Sequence, residues 1–391
     1  MTNNFNFDNI VPRRNTCSLK WDKAISDEIL PMWVADMDFR TAPAVLSALA
    51  RRVQHGIFGY TKVSDEFYRA ITSWFARRYG FVFGENKILY TSGVVPALAA
   101  VIKALTVAGD AIIIQEPVYN CFFSIIKNNN CTAVSNDLIY SDGKYSIDFE
   151  DFERKIARPA TKIFLLCNPH NPAGRVWTRD ELTQMGEICL KHNVLVVSDE
   201  IHCDFVFAPH KHVAFASINE AFRQNSVTCT APSKTFNLAG LKIANIYAEN
   251  DEIRNEIDAA LHANELHEIS PFAVDALIAA YNDSEAWLEA LKTYLYNNYL
   301  YLKQYIETHL PQLKVVPLEA TYLVWIDCKA LNISSKEIET LLLERENLQI
   351  NGGTLYGAAG EGFIRINIAC PRELLKRGLE KIEKLLSETA L

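Results

Sequence analysis

A lysine, a carboxylate, an amide, an aromatic ring and a glycine-led turn share one setting in this sequence. Each follows a short apolar run. Lys234 stands in APSKTFNLAG after SVTCT, and Asp199 in SDEIH after VLVV. Asn171 lies in NPHNPAG after KIFLLC, Tyr119 in EPVYN after AIIIQ, and Gly93 in TSGVVP after ILY. Taken singly, each has an ordinary explanation. Most lysines are solvated, Asn-Pro steps punctuate loops, carboxylates often cap the next segment, and glycine is common in turns.

Together they specify a chemistry. A lysine amine can condense with an aldehyde, and a carboxylate can keep a pyridine nitrogen protonated. Those are the two groups a pyridoxal 5′-phosphate site asks of its protein. Free N–H groups at the helix start after Gly93, with Pro96 in the first turn, would bind a phosphate. An aromatic to cover the ring and an amide for its phenolate oxygen complete the set. No G-x-G-x-x-G follows the first apolar run, and neither a G-x-x-x-x-G-K-[ST] loop nor a G-x-S-x-G elbow occurs, so nicotinamide, P-loop and serine-hydrolase sites lack support.

The elements that must position these groups alternate. Apolar runs at Ile88–Thr91, Ala111–Gln115, Lys162–Cys167, Val194–Ser198, Ser226–Thr230 and Ile243–Ala248 are apolar on successive residues, as strands covered on both faces are. Between them Pro96–Val107, Tyr119–Lys127 and Arg179–His192 read as helices, the last with a Thr178/Glu181 capping box. The pattern predicts an α/β fold with a mostly parallel open sheet flanked by helices, whose ligands sit beyond the carboxyl ends of the strands. After about residue 280 the texture changes to a long helix, Ser284–His309, strands at Lys314–Pro317 and Tyr322–Ile326, helix Ser335–Arg345, strand Phe363–Asn367 and helix Arg372–Ser387. The expected organisation is a large domain over 46–282, a smaller α+β domain over 283–391, and a segment 1–45 that joins the small domain or spans the cleft.

Composition narrows the class. Apolar residues make up 49% and charged residues 22% of the 391, as in ordinary globular proteins. A net charge of −8 and no basic stripe argue against nucleic-acid binding, and no apolar run is long enough for a membrane span. Nine scattered cysteines without C-x-x-C spacing read as free thiols of a cytoplasmic protein. His202-Cys203 is the one adjacent pair a zinc site could use; lacking a second ligand pair, it predicts no metal.

SDEIH, APSKTFNLAG and NPHNPAG together resemble the fold-type I pyridoxal-phosphate enzymes, the aspartate aminotransferase superfamily, over nearly the whole chain. PMWVADMDF (31–39), TSGVVPAL (91–98), NPHNPAGRVW (168–177) and SDEIHCDF (198–205) are similar to its cystathionine β-lyase, or C–S lyase, branch. The resemblance implies that Lys234 carries the cofactor aldehyde and then moves the Cα proton. It implies Asp199 on the pyridine nitrogen, Asn171 on the phenolate oxygen with His202 nearby, and Tyr119 stacked on the ring. Phosphate would fall to the Gly93, Val94 and Val95 backbone, Ser233 and Lys242, with Tyr60 reaching a neighbouring subunit's phosphate in a homodimer with shared active sites. Arg365 in GFIRINIA would grip the substrate α-carboxylate; by itself it reads as an edge-strand arginine in a surface ion pair. Ala35, in the Trp33–Asp38 loop, joins Tyr119 and Asn171 on the substrate side, as does Tyr356-Gly357, without a specific role.

The implied reaction is β-elimination from cystathionine or another S-substituted cysteine, giving a thiol, pyruvate and ammonia. An aminotransferase would share every cofactor contact. A regulatory protein-binding role on the same fold is a third reading, although no surface motif identifies a partner.

Overall fold

Runs that are apolar on successive residues need cover on both faces, and here they have it. The computed structural model describes residues 5–23 and 26–388. A two-residue strand β1 (Leu30–Pro31) precedes β2 (Ile88–Thr91), β3 (Ala111–Ile114), β4 (Thr132–Ser135), the hairpin β5 (Ile139–Ser141) and β6 (Lys144–Ser146), then β7 (Thr161–Cys167), β8 (Leu195–Asp199), β9 (Ser226–Thr230) and β10 (Ala244–Tyr247). Seven of these form one sheet in the order β2-β10-β9-β8-β7-β3-β4. Strands β9, β8, β7, β3 and β4 pair in parallel, whereas β10 runs antiparallel to both β2 and β9.

Alternation along each strand feeds two cores. Ile112, Ile114, Ile163 and Leu165 pack with the helix Val94–Leu105 on one face. Ile113, Phe164 and Leu166 pack with Phe152, Leu182 and Met185 on the other. The helix Arg179–Lys191 opens on the Thr178/Glu181 capping box, which satisfies two N–H groups that would otherwise lack partners. The sheet is thus an α/β layer, mostly parallel and covered by helices.

A second, antiparallel sheet follows. Its strands are β11 (Lys314–Val315), β12 (Leu323–Asp327), β14 (Asn351–Gly352) and β15 (Phe363–Asn367), in the order β11-β12-β15-β14. The short β13 (Leu348–Gln349) pairs in parallel with β1, stitching the N-terminal segment to this part of the chain. Helices Glu285–His309, Ser335–Glu346 and Arg372–Glu388 pack into the core around it.

Several expectations need correction. The helix expected from Pro96 begins at Val94, because proline is tolerated throughout the first turn, where N–H groups lack partners anyway. Tyr119 precedes its helix, which spans Cys121–Asn128. The strand expected at Lys314–Pro317 stops at Val315. No helix among the described residues is long and apolar enough to cross a membrane.

Candidate active site

Between the two sheets lies a cavity of about 800 Å³. Its walls come from the carboxyl ends of the large sheet, from Arg365 and Tyr356 of the C-terminal part, and from Trp33–Ala35 of the N-terminal segment. Every expected site residue except Tyr60 lines it: Ala35, Gly93, Val94, Val95, Tyr119, Asn171, Asp199, His202, Ser233, Lys234, Lys242 and Arg365. Tyr60 lies outside it and is 98% exposed.

Lys234 sits on the short helix Pro232–Thr235 that follows β9. Its turn is anchored from below, where the Thr235 hydroxyl donates to Asp204 Oδ2 at 2.7 Å. Above, Lys234 Nζ donates to the Ala35 carbonyl at 2.6 Å. Burial, then the nearby Arg365 charge, brings the amine down to about 8, against opposing pulls from Asp36 and Asp199. An amine near that value can supply its neutral, nucleophilic form at neutral pH.

Asp199 is the last residue of β8. One oxygen accepts from the Ile201 N–H at 3.2 Å, and no cation among the described residues lies within ion-pair distance of it. Burial pushes the carboxyl up to about 7, against the Ile201 bond and the Lys234 charge. Its neighbour Glu200, the first residue past the strand, is fully engaged: it accepts from Ser198, Phe215 and His212 at 2.9 Å each. Asp199 is therefore a buried carboxyl facing the cavity with no cation among the described residues in ion-pair distance, and a protonated ring nitrogen would complete it.

Around that carboxylate the other groups take their stations. Gly93 caps the helix Val94–Leu105 with φ +152°, a conformation essentially reserved for glycine. The first bond of that helix is Ala97 N–H to Gly93 O at 2.9 Å, so the Val94 and Val95 N–H groups have no helical acceptor. Burial and Cys121 hold the Tyr119 hydroxyl well above the usual phenol range. His202 is buried, and burial with the Lys234 and Arg365 charges takes it down to about 3, so the ring is neutral; its Nδ1 has no hydrogen-bond partner among the described residues. Lys242 adopts the left-handed conformation, φ +58°, at the end of the turn after Lys234. Lysine amine, orphaned carboxylate and open helix start together fit pyridoxal 5′-phosphate.

Arg365 overturns its ordinary explanation. It lies in the middle of β15, an inner strand flanked by β12 and β14, and it is 4% exposed. Nη1 donates to Asn171 Oδ1 at 3.1 Å and Nη2 to the Trp33 carbonyl at 2.8 Å. The guanidinium stacks over the Tyr356 ring at 4.7 Å, and Nε has no hydrogen-bond partner among the described residues. Among the described residues no carboxylate lies within ion-pair distance. A buried, unpaired guanidinium at a cavity wall is a receptor for an anion.

Some supports were not legible in the sequence. Tyr356 was flagged without a role; it carries Arg365, and its hydroxyl accepts from Asn351 Nδ2 at 2.8 Å. Gly357, φ +111°, has no room for a side chain because a Cβ there would collide with the Glu116 carboxylate. Tyr322, whose hydroxyl donates to Ala35 O at 3.1 Å, carried no signal beyond strand-like texture. His202 faces the cavity while Cys203 is buried in the core, and among the described residues no cluster suited to a metal ion occurs.

A family model described as aminotransferase class I and II matches residues 28–382. The chain belongs to that family of pyridoxal-phosphate fold-type I proteins. Within it, the chain is 42% identical to cystathionine beta-lyase PatB of Bacillus subtilis, over 98% of this chain and 100% of the relative. It superposes with a TM-score of 0.95 on cystalysin from Treponema denticola, which contains a pyridoxal 5′-phosphate cofactor, at 33% identity over 98% of this chain and 99% of that one. The PLP-bound C–S lyase from Staphylococcus hominis, complexed with L-cycloserine, matches with a TM-score of 0.92 and 35% identity over 98% and 100% of the chains. The resemblance to the C–S lyase branch stands on these relatives.

Proposed function

We propose that this chain is a pyridoxal-phosphate-dependent C–S β-lyase. It converts an S-substituted cysteine, cystathionine among them, and water to a thiol, pyruvate and ammonia. The observation that carries the proposal is the pair Lys234 and Arg365: an amine brought down to about 8 and a buried guanidinium without an anion, on the walls of one cavity. The guanidinium receives the α-carboxylate in a two-pronged bond, which turns the Cα proton toward the amine.

Pyridoxal phosphate, when bound, supplies the electron sink for the pair left at Cα. Asp199 would hold its ring nitrogen, Asn171 and His202 would stand near its phenolate oxygen, and Tyr119 would cover its face. The Gly93, Val94 and Val95 backbone, Ser233 and Lys242 would hold its phosphate. Lys234, whose amine burial and the Arg365 charge favour in its neutral form, accepts the Cα proton as the thiolate departs.

Among the described residues the cavity's cations are Lys234, Lys242 and Arg365. The three-part division into 1–45, 46–282 and 283–391 belongs to the same reading, supported by cavity walls drawn from each stretch. A homodimer completed by Tyr60 and a cytoplasmic setting, supported by nine free thiols, belong to the same reading.

The test is a substrate panel on cofactor-saturated protein. Cystathionine and S-alkyl cysteines release pyruvate and thiol at equal rates; oxo-acid-dependent amino transfer without elimination would reject the proposal.

A further inference from the structure

The carbonyls of residues 33–37 are all taken by side chains from elsewhere in the chain. Trp33 O accepts from Arg365 Nη2 at 2.8 Å and Asn351 Nδ2 at 3.0 Å. Asn367 Nδ2 donates to Val34 O and Asp36 O at 2.6 and 2.7 Å. Ala35 O takes Lys234 Nζ and the Tyr322 hydroxyl. Met37 O takes Asn237 Nδ2 at 3.0 Å and Arg13 Nη1 at 3.1 Å. The guanidinium assigned to the substrate carboxylate and the amine assigned to the Cα proton are thus registered on Trp33 and Ala35 of the same loop.

That loop is in turn gripped by the N-terminal segment. Arg13 donates to Asp36 Oδ2 at 2.6 Å and to Asp38 Oδ1 at 2.7 Å. Asp38, 4% exposed, also accepts from Lys20 Nζ at 2.7 Å and Trp21 Nε1 at 2.8 Å. A buried carboxylate ringed by two cations contributes little net stability, so what the cluster provides is geometry. Arg13 alone of these three donors bonds both carboxylates and a carbonyl of the loop.

We propose that Arg13 is a positioning residue for the reaction: by clamping Asp36, Met37 and Asp38 it holds loop 33–38 so that Lys234 and Arg365 keep a fixed mutual register. The inference rests on the roles given to those two residues under the proposed function.

Arg13→Gln, Arg13→Lys and the comparator Arg14→Gln separate positioning from stability. Arg14 holds the same segment through the Trp21 and Ile29 carbonyls without touching the loop. Rates of pyruvate release from S-ethylcysteine are taken per bound cofactor on the full chain. Arg13→Gln lowers kcat and raises KM, with a combined loss of about 10- to 100-fold, the scale of an ångström of misplacement. Arg13→Lys recovers part of it, and Arg14→Gln stays close to wild type.

A second readout needs no turnover: the pH at which Lys234 of the cofactor-free chain becomes reactive to acetic anhydride, followed by peptide mass. Asp199, Asp36, Arg365, His202 and Cys121 are the titratable or charged groups that act on this amine. Arg13→Gln leaves Asp36 with Lys20 at 3.6 Å as its remaining ion-pair partner, so more of its charge acts on the amine, which favours the ammonium, and the midpoint rises from its value near 8. Wild-type kcat, KM and midpoint in Arg13→Gln, even with a lowered Tm, would overturn the proposal, as would equal losses in Arg14→Gln. A wild-type chain that releases no pyruvate would sink the lyase reading and leave the midpoint comparison to decide this one.

Discussion

Asp199 and Glu200 are adjacent carboxylates with opposite fates: Asp199 ends β8, and Glu200 is the first residue past it. Glu200 is closed in by Ser198, Phe215 and His212, while Asp199 faces the cavity with one backbone donor. The motif SDEIH pointed to Asp199 through its place at a strand end; nothing in the sequence disclosed that its carboxyl would be driven up to about 7. That shift fixes the sign of a pH effect. A folded-state value above the ordinary 3.8 means the contribution is whole below that value and is lost as pH rises through about 7. At pH 8, cofactor-free Asp199→Asn therefore melts above the cofactor-free wild type, and with pyridoxal phosphate bound the order reverses. The same order in both states, read by calorimetry, contradicts the assignment. Arg365 teaches the converse lesson: sequence alone favoured a surface ion pair, and only the position of β15 inside its sheet shows the side chain to be buried.

At the scale of elements, the strands were legible where both faces are covered and obscure where they are not. β3 and β7 announced themselves as continuous apolar runs, whereas the edge strand β4, TAVS, is partly exposed and lacks that signature. The reversal of β10 was invisible, since periodicity carries no direction. Gly93 is the element-level hinge of the site, because its φ of +152° turns the end of β2 into a helix with two free N–H groups. Gly93→Ala forces an alanine into a region that costs of order 1–3 kcal/mol. Cofactor affinity should fall about ten- to a hundredfold, at 1.4 kcal/mol per decade, in a fluorescence titration with pyridoxal phosphate. An unchanged affinity would mean that the helix start does not hold the phosphate.

For the whole molecule, the cavity draws on the N-terminal segment and on both sheets, and no local pattern could have foretold that Arg13 and Asp38 meet across 25 residues. Exposed Ile57, Phe58 and Tyr60, at 68%, 55% and 98%, form an apolar stretch suited to a subunit contact. Light scattering should therefore give twice the 44.2 kDa chain mass, and Tyr60→Phe should weaken cofactor binding although that residue lies outside its own chain's cavity. A fully active 44.2 kDa monomer would contradict the shared site. The most direct measurement is borohydride reduction of the chain saturated with pyridoxal phosphate, followed by peptide mapping. One pyridoxyl group on Lys234 is the predicted result; a label on another lysine, or none, would contradict it.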